Sequence, residues 1–421
     1  MFLYEMKKLF WKKSLLLILL LFTVIDIAKV GQEYHSTTYL TDDRAEGMMS
    51  WKEAFWELYE QYGGRLTEEK VNAFLNQYQS LQEETADLTA SSIADNPRYM
   101  TGSAWQDFNL MEKYYEMPMK YFYLYGKNAE KAAKKAKENI SFYKEYGNSY
   151  ESKKNAVIYH LYKGRAIQDF SYMEMIHYYL YYDFSSVLIF LLCIYGIVRV
   201  FACEREAQME ELTVVSVNGG RKLVRHKVLA VALYTVLVSL WFAVVDFFSF
   251  ALFYQSLEGM GMPVYAVENF ACASVGCSIW QYVILSFAAR TLGFLVFGMF
   301  FLLLSECCKN ALMPFVLSVI ASIASIFIGD FFAHSSHILC KVFNPYFLVT
   351  NRLLFGRTEF VGVLGTPVLS YEMALAVGIF LCLSLICAVA LLSRRNVMCR
   401  GKGKIWKEGA SCGCFALSGR R

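Results

Sequence analysis

Long apolar stretches alternate with polar segments along this chain, and six of these stretches are long enough to cross a bilayer as helices. A membrane-spanning helix needs about 20 predominantly apolar residues. The pattern predicts spans at 14–30, 184–202, 228–254, 278–305, 311–329 and 373–392. The first span, interrupted by Asp26 and Lys29, has the alternative interpretation of a signal peptide. Because the residues after it lack the small-x-small pattern of a cleavage site, we interpret it as an uncleaved anchor.

The segment 31–183 is too long and too polar to be a simple connection, and we predict that it forms a folded domain. Apolar residues recur there at spacings of three and four, as at Trp51, Phe55 and Leu58, which is typical of amphipathic helices. Thr67, which two glutamates follow, has the pattern of a helix start. The segment holds 21 of the 29 tyrosines. They form either an aromatic binding surface or, as we favour, the packing between helices.

The composition supports a lipid-embedded chain rather than a soluble enzyme. Of the 421 residues, 56% are hydrophobic and only 19% are charged, whereas an average soluble domain has about 25% charged residues. The mean hydropathy is +0.32. The net charge of +4 is too small to favour nucleic acid as a partner.

The basic residues of the short connections are distributed unevenly. Four lysines precede the first span, five basic residues lie between the second and third, and eight follow the sixth. The connection 255–277 has none, although 330–372 holds three. Since Lys and Arg are retained on the cytoplasmic side during insertion, we predict that both termini are cytoplasmic and that 31–183 lies outside.

These patterns predict an all-α, polytopic protein of the plasma membrane with six transmembrane helices. The expected parts are a cytoplasmic N-terminus with the first span (1–30), a large helical extracytoplasmic domain (31–183), a five-helix transmembrane region (184–393) and a basic cytoplasmic tail (394–421). A cytoplasmic helix is expected at 203–220, between the second and third spans.

The sequence lacks the motifs of ATP binding and of metal-dependent catalysis. It has no Gly-x-x-x-x-Gly-Lys-Ser/Thr loop, so we expect that the chain does not hydrolyse ATP itself. It has no His-Glu-x-x-His motif, and the close pair His334 and His337 has no evident third ligand. We therefore predict no catalytic residue, no metal site and no cofactor bound by this chain.

Two charged residues lie well inside predicted spans, where one charge costs roughly 2.5 to 3.5 kcal/mol on insertion scales. Asp246 lies eight residues, about 12 Å, and Arg290 twelve residues, about 18 Å, from the outer end of its span. A long arginine side chain reaches across an offset of about one helical turn. We predict an Asp246–Arg290 pair between adjacent spans, either a fixed strut, which we favour, or a contact on a substrate path.

The connection 201–230 divides by the sign of its charges. The acidic residues Glu204, Glu206, Glu210 and Glu211 come first, and the basic residues Arg221, Lys222, Arg225 and Lys227 follow Gly219 and Gly220. On a helix, Glu206 and Glu210 share a face, and Met209 and Leu212 supply an apolar stripe. The pattern predicts a short amphipathic helix at the membrane surface and then a turn. One interpretation is an interfacial helix held by lipid headgroups.

Six spans, a large outside domain between the first two, and an acidic helix before a glycine and basic turn resemble the permease subunits of type-2 ATP-binding-cassette (ABC-2-type) exporters. In that family the region after the second span includes a coupling helix, which presses into a groove on a separate ATPase subunit. The resemblance implies ATPase-coupling positions at Glu204, Glu206, Met209, Glu210, Leu212, Ser216, Gly219, Arg221 and Lys227. The chain departs from many members at Gln208-Met209, where they carry Gly-Thr.

The resemblance also implies partners and a further element. A second permease subunit, identical or different, and the ATPase subunit that binds ATP are the expected protein partners, with the lipid bilayer around them. Short re-entrant helices occur in related exporters between the fifth and sixth spans. The segment 338–348, interrupted by Asn344-Pro345, is either such a helix or a plain loop.

Two functions of different classes are therefore compatible with the sequence. The first is the permease subunit of an exporter, which forms the translocation path and couples to a separate ATPase. The second is a membrane-anchored sensor or assembly factor whose tyrosine-rich outer domain binds a ligand without transport.

Overall fold

The computed structural model describes residues 2–37, 49–86, 98–206, 208–209, 221–308, 310–333, 335 and 337–414.

The N-terminal region of the structure consists of two helices. Its first elements are helix α1 (Phe2–Phe10), which buries Glu5 and Leu9, and helix α2 (Lys13–Thr37). The helix α2 continues through Asp26, so this charge interrupts the apolar sequence but not the helix.

A helical domain follows α2. Its elements are α3 (Trp51–Tyr62), β1 (Gly64–Arg65), α4 (Glu68–Ala86), α5 (Ala104–Met111), a π-helical turn (Glu112–Glu116), α6 (Met117–Glu145), α7 (Ser149–Tyr162) and β2 (Asp169–Phe170). The helix α8 (Glu174–Tyr181) leads from this domain into the second span. Local sequence sets the helix starts: Ser50 and Glu53 form a capping box at α3. The Thr67 hydroxyl accepts a hydrogen bond from Lys70 N at 3.3 Å, as the predicted start of α4 requires.

The remaining helices include the long apolar ones and several short ones. They are α9 (Phe184–Ile197), α10 (Arg199–Glu206), α11 (Arg221–Tyr254), α12 (Ile279–Cys307), α13 (Leu312–Phe332), α14 (Ile338–Phe343), α15 (Tyr346–Val349), α16 (Arg352–Gly356) and α17 (Ser370–Cys414), with strands β3 (Phe360–Val363) and β4 (Thr366–Leu369) before α17. Two 3-10 turns, Val264–Ala266 and Glu268–Phe270, lie between α11 and α12. A capping box of Ser278 and Gln281 begins α12.

Within the described residues, six helical regions are long and apolar enough to cross a membrane, as predicted. They are Lys13–Ser36, Glu174–Glu206, Lys222–Tyr254, Ile279–Cys307, Leu312–Phe332 and Ser370–Ser393, here numbered spans 1 to 6. Within the chain 67% of the most apolar window of span 2 is buried, against 17% for span 6 and 22% for spans 1 and 5. Span 2 is therefore central, and the apolar faces of spans 1, 5 and 6 suit contact with lipid. The chain is a multi-pass membrane protein.

The span bundle has two distinct ends. At one end, which we call the domain end, Tyr254 and Ile279 share an apolar core with Phe55 and Tyr115 of the helical domain. At the other, the far end, α1 packs with α9, α11 and α12 in a second core that includes Leu9. The helical domain thus sits on one end of the spans and α1 on the other.

The tyrosines of the helical domain serve largely as packing residues. Tyr62, Tyr78, Tyr115 and Tyr125 are buried. The Tyr115 hydroxyl donates to Phe55 O at 2.5 Å, which satisfies its polar end inside the core. These contacts favour packing over an exposed aromatic surface.

The chain is mostly helical, but the all-α prediction missed two small antiparallel pairs of strands. Strand β1 pairs with β2, and β3 pairs with β4 from Phe360 opposite Leu369 to Val363 opposite Thr366. Between β3 and β4, Leu364 and Gly365 have φ values of +49° and +78°. Two consecutive positive φ values are those of a type I′ turn, whose twist matches that of a hairpin.

Short helices occupy the connection between spans 5 and 6. The helix α15 follows Asn344-Pro345 and packs among spans 4, 5 and 6, where glycines make room for it. A Cβ atom at Gly293 would lie 2.8 Å from Val349 Cγ2, and one at Gly378 would lie 2.6 Å from Leu348 Cδ1. The connection is therefore not a plain loop, and its helix α15 is inserted between the spans.

Candidate functional site

The far end of the bundle is held together by an ion cluster of the buried residues Glu5, Glu204 and Lys227 with the half-buried Lys8. Glu204 Oε2 accepts from Lys227 Nζ at 2.6 Å, and Glu204 Oε1 accepts from Lys8 Nζ at 2.7 Å. Lys227 is 0% exposed, and its ammonium lies 4.0 Å from the centre of the Phe201 ring. Burial alone would lower the pKa of Lys8, but the Glu204 and Glu5 carboxylates outweigh it and raise that pKa.

This cluster changes the interpretation of two predicted coupling residues. Glu204 and Lys227 point into the bundle and bind each other, so neither side chain forms part of an exposed face. Glu204 is buried because its carboxylate neutralises Lys227, which α11 places in the core. Through Lys8, the same carboxylate also ties α1 to α10.

A second ion pair connects α10 to span 4. Arg205 Nη2 lies 2.7 Å from Glu306 Oε2, and both side chains are largely buried. Arg205 Nη1 also donates to Ser305 O at 3.1 Å and to Cys308 O. Because the carbonyls near a helix C-terminus lack partners within the helix, the guanidinium group caps α12. The helix α10 is therefore anchored to spans 3 and 4 at once.

The predicted helix at 203–220 is interrupted in its described part, and 207 and 210–220 lie outside the described residues. In the structure α10 ends at Glu206, and Gln208 has φ +53°. Gln208 N donates to Arg205 O and Met209 N donates to Glu204 O, both at 3.0 Å, which is a Schellman arrangement. Glu206 and Met209 therefore do not share one continuous helix as the sequence spacing predicts. The left-handed conformation at Gln208 is the physical reason.

The other predicted coupling residues divide into exposed positions and positions that are not described. Glu206 is exposed and accepts from Ala311 N at 3.1 Å, and Met209 is 52% exposed. Arg221 begins α11. Glu210, Leu212, Ser216 and Gly219 lie outside the described residues, and their role stays a prediction.

The second cluster, the intramembrane cluster, lies between the spans toward the domain end. Arg290 Nη1 is 3.5 Å from Asp246 Oδ2, so the two side chains paired by sequence reasoning are within ion-pair distance. Arg290 Nη2 donates to Ser185 and Ser186 at 2.6 and 2.8 Å. Ser185 in turn donates to Asp246 Oδ2 at 2.7 Å. Spans 2, 3 and 4 are therefore joined by one polar network.

Sequence reasoning missed a third charged member of this cluster. Asp26 of α2 is fully buried, and its Oδ1 accepts from the Tyr182 hydroxyl at 2.7 Å. Its side chain interacts with that of Asp246, and Tyr182 lines the same cavity as Asp246 and Arg290. The sequence contained the signal, because an aspartate inside an apolar stretch needs a partner for the same reason that Asp246 does.

A small polar cavity connects the intramembrane cluster with the domain end. Its volume is about 60 Å³, and its lining includes Asp246, Arg290, Tyr182 and a second ion pair, Asp183 with Arg352 at 2.8 Å. A cavity of this size with polar walls has room for water. The cavity is thus lined by two ion pairs, Asp246 with Arg290 in the cluster and Asp183 with Arg352 nearer the helical domain.

A larger cavity lies between the helical domain and the connection of spans 3 and 4. It measures about 970 Å³, and Tyr78, Lys120, Tyr121, Tyr125 and Glu268 are among its lining residues. The hydroxyls of Tyr121 and Tyr125 donate to Tyr265 O and Ala271 O at 2.6 and 3.0 Å. Burial raises the pKa of Tyr125 to about 12, although the nearby Arg165 opposes the shift.

Comparison with known proteins provides no family for this chain. No protein-family model, no curated protein and no solved structure matches it.

Proposed function

We propose that this chain is the membrane-spanning permease subunit of an ABC-2-type exporter. In this proposal the far end faces the cytoplasm and the helical domain lies outside. A separate ATPase subunit binds and hydrolyses ATP, and two permease subunits form the translocation path. Six apolar helices with a large helical domain between the first two support the proposal.

The anchoring of α10 is the observation that carries this proposal. The turn at Gln208–Met209 is exposed, while the helix that precedes it is bound by buried ion pairs to Lys227 of span 3 and Glu306 of span 4. Breaking a buried ion pair by removing one partner costs about 3 to 5 kcal/mol. A force applied at the turn therefore moves these spans with α10 rather than bending the connection.

The mechanism follows from this linkage. Closure of the ATPase subunits displaces the exposed turn, and α10 transmits the displacement to spans 3 and 4. Packed helices exchange between discrete arrangements because their interfaces are close-packed. The bundle then alternates between arrangements that are open to one side or to the other.

Co-purification from native membranes tests the proposal. The tagged full chain, extracted into mild detergent, is expected to retain an ATPase with a P-loop. Met209→Arg and Glu206→Arg are expected to reduce the retained ATPase, because they place cations on the exposed turn. Leu364→Arg, a fully exposed position in the hairpin near the domain end, is the matched control and leaves the ATPase bound. Purification without any ATPase under these conditions contradicts the proposal.

The cavity of about 970 Å³ favours a second candidate function, a sensor or assembly factor. Its size is within the range of small-molecule sites, and both carboxylates and an ammonium group line it. Ala132→Trp would fill the cavity from α6. A sensor then loses its response to the ligand, whereas ATPase retention by an exporter subunit is unaffected. Co-purification and the cavity variant together separate the two functions.

A further inference from the structure

Two aspartates from different spans meet in the intramembrane cluster. Asp26 of α2 is fully buried, and Asp246 of α11 is 2% exposed. Their side chains interact directly, and Tyr182, which donates to Asp26, lines the same cavity as Asp246. Ionised carboxylates only accept hydrogen bonds, so a bond between them requires a proton on one of them.

One oxygen of each aspartate has a donor and the other has none. Asp26 Oδ1 accepts from Tyr182, and Asp246 Oδ2 accepts from Ser185. Asp26 Oδ2 and Asp246 Oδ1 are buried without a hydrogen-bond partner. A buried acceptor that lacks a donor is costly. A single proton held between the two carboxyl groups supplies the donor that is missing here.

The charges lead to the same conclusion. With both aspartates ionised, Arg290 compensates only one of the two negative charges that it faces. An uncompensated charge among apolar spans is costly. One bound proton makes the group of Asp26, Asp246 and Arg290 neutral, without any change in the hydrogen bonds from Tyr182 and Ser185.

We propose that Asp26 and Asp246 form a proton-binding site between spans 1 and 3, which holds one exchangeable proton between the two carboxyl groups. The proposal is independent of the exporter function. It assigns to these aspartates the binding of a proton, in addition to the structural role of the pair of Asp246 and Arg290.

The groups around the site are compatible with exchange of this proton. Arg290 faces the aspartates from span 4, and Tyr182 and Tyr179 face them from the domain end of span 2. Further out, Asp183 is paired with Arg352. The cavity of about 60 Å³ lies between these two ion pairs, so water in it is the route by which the proton reaches the site.

Release of the proton changes the contact between two spans. The O–H bond of the protonated aspartate breaks, its electron pair stays on the carboxylate, and the proton passes to water. Two carboxylates then face each other beside one arginine, and repulsion weakens the contact between α2 and α11. Protonation at this site therefore controls how closely span 1 packs against span 3.

Infrared spectroscopy of the full chain in lipid nanodiscs tests the proposal. At neutral pH the wild type is expected to show the carbonyl stretch of a protonated carboxylic acid. This band is expected to shift in D2O, to shift again when aspartate is labelled with ¹³C at its side-chain carboxyl, and to disappear reversibly at higher pH. The absence of an aspartate band of this kind at neutral pH overturns the proposal without any variant.

Variants then assign the band to the two aspartates. Asp26→Asn and Asp246→Asn each supply an amide donor to the remaining carboxylate, so the protonated band is expected to be lost in both. Asp330→Asn, which removes an exposed carboxylate at the end of α13, is the matched control and retains the band. A band that persists in both Asp26→Asn and Asp246→Asn contradicts the proposal. If either variant fails to fold, the labelled wild type still decides the question.

Discussion

Charged side chains are buried at two depths in the span bundle, and at each depth they join helices that are distant in sequence. Glu204 of α10 binds Lys8 of α1 and Lys227 of α11. Asp246 of α11 binds Ser185 of α9 and lies next to Arg290 of α12. Because a buried charge without a partner is strongly destabilising, each of these contacts specifies which helices are neighbours.

Glu204→Gln tests the role of the far-end cluster. It keeps the side-chain volume but leaves Lys227, which is 0% exposed, without its carboxylate. Removal of one partner from a buried ion pair is expected to lower the free energy of unfolding by about 3 to 5 kcal/mol. Denaturant titration of the protein in detergent measures this change.

Glu206→Gln is the matched control for that experiment. Glu206 is exposed and accepts only a backbone hydrogen bond in the described structure, from Ala311. Its replacement is expected to change the free energy of unfolding by about 1 kcal/mol or less. Equal effects of the two variants would show that the Glu204 cluster does not stabilise the far end.

Charge reversal tests the pair of Asp246 and Arg290. Asp246→Arg alone places two cations in the network, and Arg290→Asp alone leaves three carboxyl groups there without a cation, so each single variant is expected to reduce membrane insertion. The double reversal restores opposite charges at about the same separation and is expected to recover much of the inserted protein. Protease protection of the membrane fraction measures insertion, and a double variant no better than the single variants contradicts the pairing.

The sequence predicted the pairing of some of these charged residues but not of others. Asp246 and Arg290 were identifiable because each stands alone in an apolar span at a similar depth. Asp26 was interpreted only as an interruption, because Lys29 lies close to it near the end of the first apolar stretch. The burial of Glu204 was not predictable, since it depends on the packing of α1 and α11 against α10.

Among the elements, the helical domain depends on tyrosines whose hydroxyls are protonated in the folded state. Burial raises the pKa of Tyr125 to about 12, and burial with the nearby Glu258 raises the pKa of Tyr59 to about 12. The corresponding value in an unfolded chain is about 10. The folded state therefore binds more protons at high pH, and its stability falls as the pH rises from about 10 to about 12.

Thermal unfolding between pH 8 and pH 12 measures this loss. The wild type is expected to lose melting temperature steeply above pH 10, and Tyr125→Phe is expected to lose less, because one titrating group is removed. At neutral pH the variant is expected to be less stable by about 1 kcal/mol, since its hydrogen bond to Ala271 O is lost. Tyr146→Phe, at an exposed position, is the control and follows the wild type. A wild-type curve that is flat from pH 10 to 12 contradicts the argument.

The inserted helix α15 has its own test at Gly293. In Gly293→Ala the new methyl group would lie 2.8 Å from Val349 Cγ2 and 3.0 Å from Val349 N. Overpacking of this kind is expected to cost about 1 to 3 kcal/mol. Gly261→Ala is the matched control, because no atom lies within 4 Å of its added Cβ. Equal unfolding free energies for the two variants would show that α15 does not pack closely against α12.

Apolar periodicity predicts the long helices well and the short elements poorly. Spans 1 to 6 follow from the length of their apolar stretches, and Thr67 marks the start of α4. The hairpin at Leu364–Gly365 was missed because its strands are only four residues each. Its signal was a glycine turn between valine-rich segments. The early end of α10 was missed because Gln208 is not a residue type that marks a helix end.

At the scale of the whole molecule, a helical domain and an anchored far-end turn lie at opposite ends of six spans. The number of spans and their apolar character were predictable from hydropathy alone. The packing of the helical domain against the spans was not predictable, because it depends on contacts between distant segments, such as Tyr121 with Tyr265. The proposed function requires that the two ends face opposite sides of the membrane.

Cysteine labelling in intact cells tests this central requirement most directly. The nine cysteines whose side chains the structure describes are free, so their replacement breaks no disulfide among them. In a cysteine-free chain, a cysteine is placed either at Lys144 of α6 or at Met209 of the far-end turn, both of which are exposed. A membrane-impermeant thiol reagent is expected to label Lys144→Cys in intact cells and to label Met209→Cys only after the membrane is opened. Labelling of both positions in intact cells would contradict the account.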